Sequence, residues 1–76
     1  MSFADREQIF SKDYITTQEL ETLLGFKHLS DASKMMTQIK RTVGDRLGIK
    51  GRIHTEDYFE YFNITDKQRY VREKVQ

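Results

Sequence analysis

The chain has 76 residues, no cysteine, 33% charged residues and a formal net charge of +1. A chain of this length forms one domain with a small core, which buries about 60% of the surface that the unfolded chain exposes. The composition excludes disulfides and thiolate metal sites, and no apolar run reaches the roughly 20 residues of a membrane span. We therefore expect residues 1–76 to form a single soluble, cytoplasmic domain without a secretory signal.

Two helices are predicted in the first third of the chain. The first covers roughly residues 3–11. The second starts at a capping box, in which the Thr16 hydroxyl accepts a hydrogen bond from the Glu19 amide and the Glu19 carboxylate accepts one from the Thr16 amide. Gly25 is expected to end this helix in the left-handed conformation. The helix carries an apolar stripe of Leu20, Leu23 and Leu24.

The longest predicted helix begins at Ser30 or Asp31 and reaches about Leu47. Its polar side faces away from an apolar stripe of Ala32, Met35, Met36, Ile39, Val43 and Leu47. A six-residue connection, residues 25–30, precedes this helix, and Phe26 and Leu29 are expected to fill the corner of the core.

The last third is predicted to contain a tight connection and two short helices. In residues 48–54, Ile49 and Ile53 form one short strand or hold the turn against the core. Thr55 is expected to cap the next helix, which ends at Asn63. A second capping box, residues 65–68, opens a last helix to about Lys74.

The apolar stripes of separate helices are predicted to meet in one core. Its expected members are Leu20, Leu23, Met36, Ile39, Phe59 and Phe62. For the last helix two interpretations stay open. It is either a strut packed on its own domain or a contact with a second copy of the chain through Tyr70, Val71 and Val75.

The charges are unevenly distributed along the chain. Residues 1–26 carry a net charge of −3 and residues 55–76 a net charge of −1. Residues 27–54 hold seven basic and two acidic side chains, a net charge of +5. Such a block can make one positive face on the folded domain.

Catalysis is not expected. His28 and His54 lie far apart in sequence, and neither has partners at the spacing of metal ligands. Gly44, Gly48 and Gly51 match no phosphate-binding loop. The chain is therefore predicted to be no enzyme, to hold no metal and to need no cofactor.

The polar side of the long helix favours nucleic-acid recognition. Lys34, Gln38 and Arg41 follow the spacing i, i+4, i+7, with Thr37 beside them. Glutamine can read adenine, and lysine or arginine can read guanine, in the major groove. The alternative is an ordinary solvated helix face. The candidate DNA-binding residues are Lys27, Lys34, Thr37, Gln38, Lys40, Arg41, Lys50 and Arg52.

Residues 15–62 resemble a known family. Residues 15–25, ITTQELETLLG, look like the x-T-x-x-E-h-A-x-x-L-G opening of winged helix-turn-helix proteins typified by phage excisionases and MerR-type regulators. Residues 51–62 are similar to the R-h-x-x-x-D-h-x-x-h close of that family. The long helix exceeds the family's second helix, and little sequence is left for a hairpin wing. This layout is similar to small proteins of Gram-positive mobile elements.

The resemblance implies DNA binding in excision, replication or regulation of a phage or mobile element. It places Lys34, Thr37, Gln38 and Arg41 on the reading face, and Lys50 and Arg52 where a wing would touch the DNA backbone. The expected fold is an all-α helix-turn-helix domain of four to five helices with a rudimentary wing and at most one short strand or hairpin.

The leading hypothesis is sequence-specific binding of double-stranded DNA, as a homodimer or cooperative array. One alternative is a protein-interaction module that docks on a recombinase, polymerase or other replication or defence enzyme. It would use the acidic and tyrosine side chains of Asp5, Glu7, Glu19, Glu21, Tyr58, Tyr61 and Tyr70. A further alternative is binding of single-stranded DNA through exposed tyrosines and cations.

Overall fold

A computed structural model describes the backbone of residues 3–72 and the side chains of residues 6–71. Over this part of the chain it has five helices and two short strands. They are α1 (Phe3–Ile9), β1 (Tyr14–Thr16), α2 (Thr17–Leu24), α3 (Leu29–Val43), β2 (Arg52–His54), α4 (Thr55–Tyr61) and α5 (Lys67–Arg72). Within this part of the chain, no helix has the length and apolarity that a membrane crossing requires.

The two strands pair with each other in an antiparallel sheet, although they are distant in sequence. Ile15 lies opposite Ile53, and both side chains are fully buried, so one face of the sheet covers the core. The predicted short strand therefore contains Ile53 but not Ile49, which is 45% exposed. The sequence does not predict β1, because three residues are too few to show a periodic pattern.

Local signals at both ends define α2, as predicted. Both hydrogen bonds of the capping box between Thr16 and Glu19 are formed, and Gly25 ends the helix in the left-handed conformation, with φ 71°. The connection to α3 is shorter than the predicted six residues. It consists of the four residues 25–28, because α3 begins at Leu29. Leu29 is 52% exposed and does not fill the corner of the core, whereas Phe26 packs against it.

The C-terminal end of α3 differs from the prediction. The helix ends at Val43, not near Leu47, because Gly44 adopts φ 96° and ψ 174°. After this break Arg46 turns toward α4, where its Nε lies 2.7 Å from Oδ1 of Asp57. The Asp57 carboxylate is 1% exposed and also accepts the backbone N–H of Arg46 at 3.3 Å. The charged pair holds the segment after α3 against the domain.

The core forms where α2, α3, α4 and the sheet meet. Its buried apolar residues are Ile9, Ile15, Leu20, Ala32, Met36, Ile39, Ile53, Tyr58 and Phe59. The predicted core is confirmed for Leu20, Met36, Ile39 and Phe59, while Leu23 and Phe62 pack at its edge, half-buried.

Two predicted helix caps shift by one residue. His54, not Thr55, caps α4, since its Nδ1 accepts the N–H of Glu56 at 3.0 Å. Thr55 is the first helical residue, and its N–H donates to the carbonyl of Asp13 at 2.9 Å. At α5, the Asp66 carboxylate accepts the N–H of Arg69 at 3.1 Å, so the cap lies one residue after the predicted Thr65.

The last helix packs on its own domain through its described residues. The Tyr70 hydroxyl lies 2.6 Å from that of Tyr58, and the Arg6 guanidinium lies 4.6 Å from the centre of the Tyr70 ring. Val71 also packs against the core. These side chains match the strut interpretation, while the predicted contact through Val75 and the helix end near Lys74 lie outside the described residues.

Candidate nucleic-acid interface

One side of α3 presents a continuous polar stripe to solvent. The seven exposed polar residues recur every three or four positions, which places them on one face of the helix. They are Ser30, Ser33, Lys34, Thr37, Gln38, Arg41 and Thr42, and we call them the α3 stripe. The stripe contains two cations, four hydroxyls and one amide, and the half-buried Asp31 lies on the same side in the first turn of α3. The stripe therefore offers donors and positive charge over a length of about 18 Å.

Hydrogen bonds within the helix order several of these polar groups. The Thr37 hydroxyl donates to the Ser33 carbonyl at 3.2 Å, and the Thr42 hydroxyl donates to the Gln38 carbonyl at 2.9 Å. The Gln38 amide lies 3.4 Å from the Thr42 hydroxyl. These local bonds occupy the hydrogen of each threonine hydroxyl and leave its oxygen lone pairs and most of the amide group to solvent.

Acidic partners neutralise several other cations of the domain. The ion pairs are Lys12–Glu19, Lys40–Asp45, Arg46–Asp57, Arg46–Glu60 and Lys67–Glu56. Over the described part of the chain, Lys27, Lys34, Arg41, Lys50 and Arg52 form no ion pair, and neither does Arg69 on α5. Five of these six cations lie in the basic block of residues 27–54, so folding leaves most of its positive charge unpaired.

Lys40 is a candidate DNA-binding residue whose ammonium group is already bonded within the domain. Its ammonium donates to the Ile49 carbonyl at 3.0 Å and lies 3.4 Å from the Asp45 carboxylate. The Gly48 N–H also bonds Asp45 at 2.9 Å, and this bond, together with Lys40, keeps the pKa of the Asp45 carboxyl below its usual value. Lys40 therefore joins the end of α3 to the following loop, and its donors are already in use.

The connection predicted at residues 48–54 joins α3 to β2 and is attached to the start of α2. We call its residues 50–52, which include Lys50 and Arg52, the basic turn. The Gly51 carbonyl accepts both the N–H and the hydroxyl of Thr17, each at 3.2 Å. Lys50 is exposed at the tip of this turn. Arg52, the first residue of β2, is exposed as well, and its guanidinium stacks 4.8 Å from the centre of the Tyr14 ring. The sequence gives no sign of this contact, because β1 is not predicted.

Lys27 lies in the four-residue turn that precedes α3, and its side chain is exposed. His28, beside it, occupies the N-cap position of α3 but makes no side-chain capping bond. The described structure thus brings together Lys34, Thr37, Gln38 and Arg41 on one helix face, with Lys27 before its start. Lys50 lies in the loop that Lys40 attaches to the helix end, and Arg52 begins β2 directly after that loop.

A separate groove of about 360 Å³ opens between α4, α5 and the segment of residues 10–13 that follows α1. Its apolar lining includes Phe10, Phe59 and Val71, and the Lys67–Glu56 ion pair lies at its edge. The hydrogen bond from Lys67 lowers the pKa of the Glu56 carboxyl. These charges neutralise each other, and in the described part of the chain no three His, Asp or Glu side chains converge as a metal site.

Comparisons of the chain with protein-family models, with curated protein sequences and with solved structures find no match. The resemblance of residues 15–62 to excisionase-like proteins therefore stays a prediction from the residues themselves.

Proposed function

We propose that the protein binds double-stranded DNA, with α3 in the major groove and the turn at residues 50–52 at the phosphate backbone. The observation that carries this proposal is the α3 stripe, an exposed face whose two cations, Lys34 and Arg41, form no ion pair among the described residues. One half-buried carboxylate, Asp31, lies on the same side in the first turn, so the face keeps a net positive charge that would attract a polyanion.

The dimensions and side chains of α3 support this proposal. A helix with its side chains is about 10–12 Å across, and the major groove is about 12 Å wide. Gln38 suits adenine, and Arg41 or Lys34 suits guanine. The order of α2, a four-residue turn and α3 is also that of a helix-turn-helix reader, whose second helix enters the groove.

Sequence specificity would require more than one copy of this domain. Specific sites need about 4–10 kcal/mol of discrimination over bulk DNA, and one good bidentate contact supplies about 1–3 kcal/mol. A homodimer or a cooperative array would supply the missing contacts. Excision, replication or regulation of a phage or mobile element is the role that the resemblance of residues 15–62 favours.

Several of the side chains that the alternative functions would use are engaged within the domain. Tyr58 is 1% exposed, and the Arg6 guanidinium lies 4.6 Å from the centre of the half-buried Tyr70 ring, so these two rings offer little stacking surface for single-stranded DNA. Glu19, which a protein partner would contact, serves the capping box and Lys12. These contacts make duplex binding the better-supported proposal.

A salt-series titration of duplex DNA with charge-neutralised variants tests the proposal. Lys34→Gln with Arg41→Gln should weaken binding strongly and reduce the log–log salt slope by about 0.9 for each phosphate that the variant no longer neutralises. Arg69→Gln is the matched control for each single variant, Lys34→Gln and Arg41→Gln, because Arg69 is also exposed, forms no ion pair among the described residues and lies on α5. Equal weakening by Arg69→Gln and by these single variants, or no duplex binding by the parent, would reject the proposed interface.

A further inference from the structure

The outward face of the two-stranded sheet carries an aromatic ring, Tyr14, in contact with two cations. The Arg52 guanidinium lies 4.8 Å from the centre of the Tyr14 ring, and the Lys12 ammonium lies 4.9 Å from it. Thr16 is opposite Arg52 in the sheet, so Tyr14, two residues before Thr16, shares the outward face with Arg52. The contact therefore follows from strand pairing and does not depend on a chance surface conformation.

Lys12 and Arg52 differ in whether their hydrogen-bond donors are already occupied. The Lys12 ammonium donates to both carboxylate oxygens of Glu19, each at 2.6 Å, and to the Tyr14 carbonyl at 3.2 Å. Its three donors are thus in use. Arg52 has no carboxylate partner within the described residues. Stacking occupies the face of its guanidinium, whereas the five N–H groups lie at the edge, in the plane of the group.

The backbone that carries Arg52 is held from both sides. Thr17, at the start of α2, bonds the carbonyl of Gly51, the preceding residue, at 3.2 Å. The Arg52 N–H itself donates to the Ile49 carbonyl at 3.2 Å, and Lys40 bonds the same carbonyl at 3.0 Å. A planar group with free donors is therefore fixed in place beside the α3 end, which is the arrangement that bidentate recognition of a phosphate needs.

We propose that Arg52 contacts a phosphate of the DNA backbone and that Tyr14 is a positioning residue that holds its guanidinium for this contact. The inference rests on the proposed duplex binding and adds to it a residue outside the basic block. Tyr14 acts through Arg52 and itself makes no contact with the DNA.

A double-mutant cycle on duplex affinity tests the inference. Arg52→Gln should weaken binding about tenfold, as expected for one charge-assisted hydrogen bond, and reduce the log–log salt slope by about 0.9. Tyr14→Leu should weaken binding about two- to fivefold, the range of an exposed cation–π contact. Tyr14→Phe keeps the ring and should bind like the parent. In the Arg52→Gln background, Tyr14→Leu should have no further effect.

Two further results would separate the inference from the proposed function. Arg52→Lys keeps the charge at an exposed position and removes the planar group, so it should bind about two- to fivefold more weakly even if Tyr14→Leu fails to fold. The inference alone is overturned if Arg52→Lys binds like the parent, or if Tyr14→Leu has an equal effect in both backgrounds, while Lys34→Gln with Arg41→Gln still weakens binding strongly. No duplex binding by the parent overturns both.

Discussion

At the residue scale, Glu19 links the α2 cap to the charge of Lys12. Burial raises the pKa of the Glu19 carboxyl, but the bonds from Lys12 and from the Thr16 amide outweigh burial, so the pKa lies below its usual value. A carboxyl whose pKa is lower in the folded state stabilises the fold above its unfolded pKa. That stabilisation disappears as the pH falls through the folded pKa.

Glu19→Gln should therefore lower the free energy of unfolding at about pH 7, and the difference from the parent should shrink below about pH 4.5. Glutamine still accepts the Thr16 amide but carries no charge for Lys12. Urea unfolding at about pH 7 and about pH 3 measures both differences. Glu21→Gln, on the same helix and without an ion pair among the described residues, is the control. A difference that stays constant with pH would contradict the assigned role.

Asp57 makes a tertiary contact that its sequence pattern does not predict. In sequence its place in the first turn of α4 is explained by the helix dipole, which favours an acidic residue there. The structure adds a second reason, because the buried carboxylate accepts both the N–H and the guanidinium of Arg46. That contact joins residues 11 positions apart and occurs together with the end of α3 before Arg46.

At the element scale, the predictions succeed where the signal is local. The ends of α2 are fixed by Thr16, Glu19 and Gly25 themselves, so the sequence predicts them correctly. The end of α3 and the strand β1 are not local. The α3 pattern continues to Leu47, yet the tertiary bond of Arg46 favours a break at Gly44, and β1 becomes a strand only by pairing with β2.

Gly44→Ala tests whether α3 ends at Gly44. The change in the free energy of unfolding should have opposite signs for a helix that ends there and for one that continues. Gly44 has φ 96° and ψ 174°, a region nearly restricted to glycine, so alanine should lower the free energy of unfolding by about 1–3 kcal/mol. A helix that continued to Leu47 would instead gain about 1 kcal/mol from the same change. Urea denaturation of both proteins gives the difference.

Ser33→Ala serves as the control, because Ser33 is an exposed residue inside α3 where alanine is favoured. That variant should be as stable as the parent or slightly more stable. Stabilisation by Gly44→Ala would mean that α3 continues through this position.

At the scale of the whole molecule, some features of the candidate interface follow from the sequence pattern and others from tertiary contacts. The spacing of Lys34, Gln38 and Arg41 places them on one face of α3 whatever the fold. Folding decides that Lys40 is held by Asp45 and Ile49, and that Arg52 stacks on Tyr14. Those contacts depend on loop and strand geometry that no periodic pattern contains.

The central claim is that the α3 stripe and the basic turn form one surface for duplex DNA. Titrating the ¹⁵N-labelled protein with a short duplex at low salt and following its amide resonances by NMR tests this claim directly. We expect the changes in chemical shift to be concentrated in residues 29–43 and 50–52, with α5 and the groove beside Phe59 unaffected. Changes centred on α5 and that groove, or no changes at all, would contradict the account.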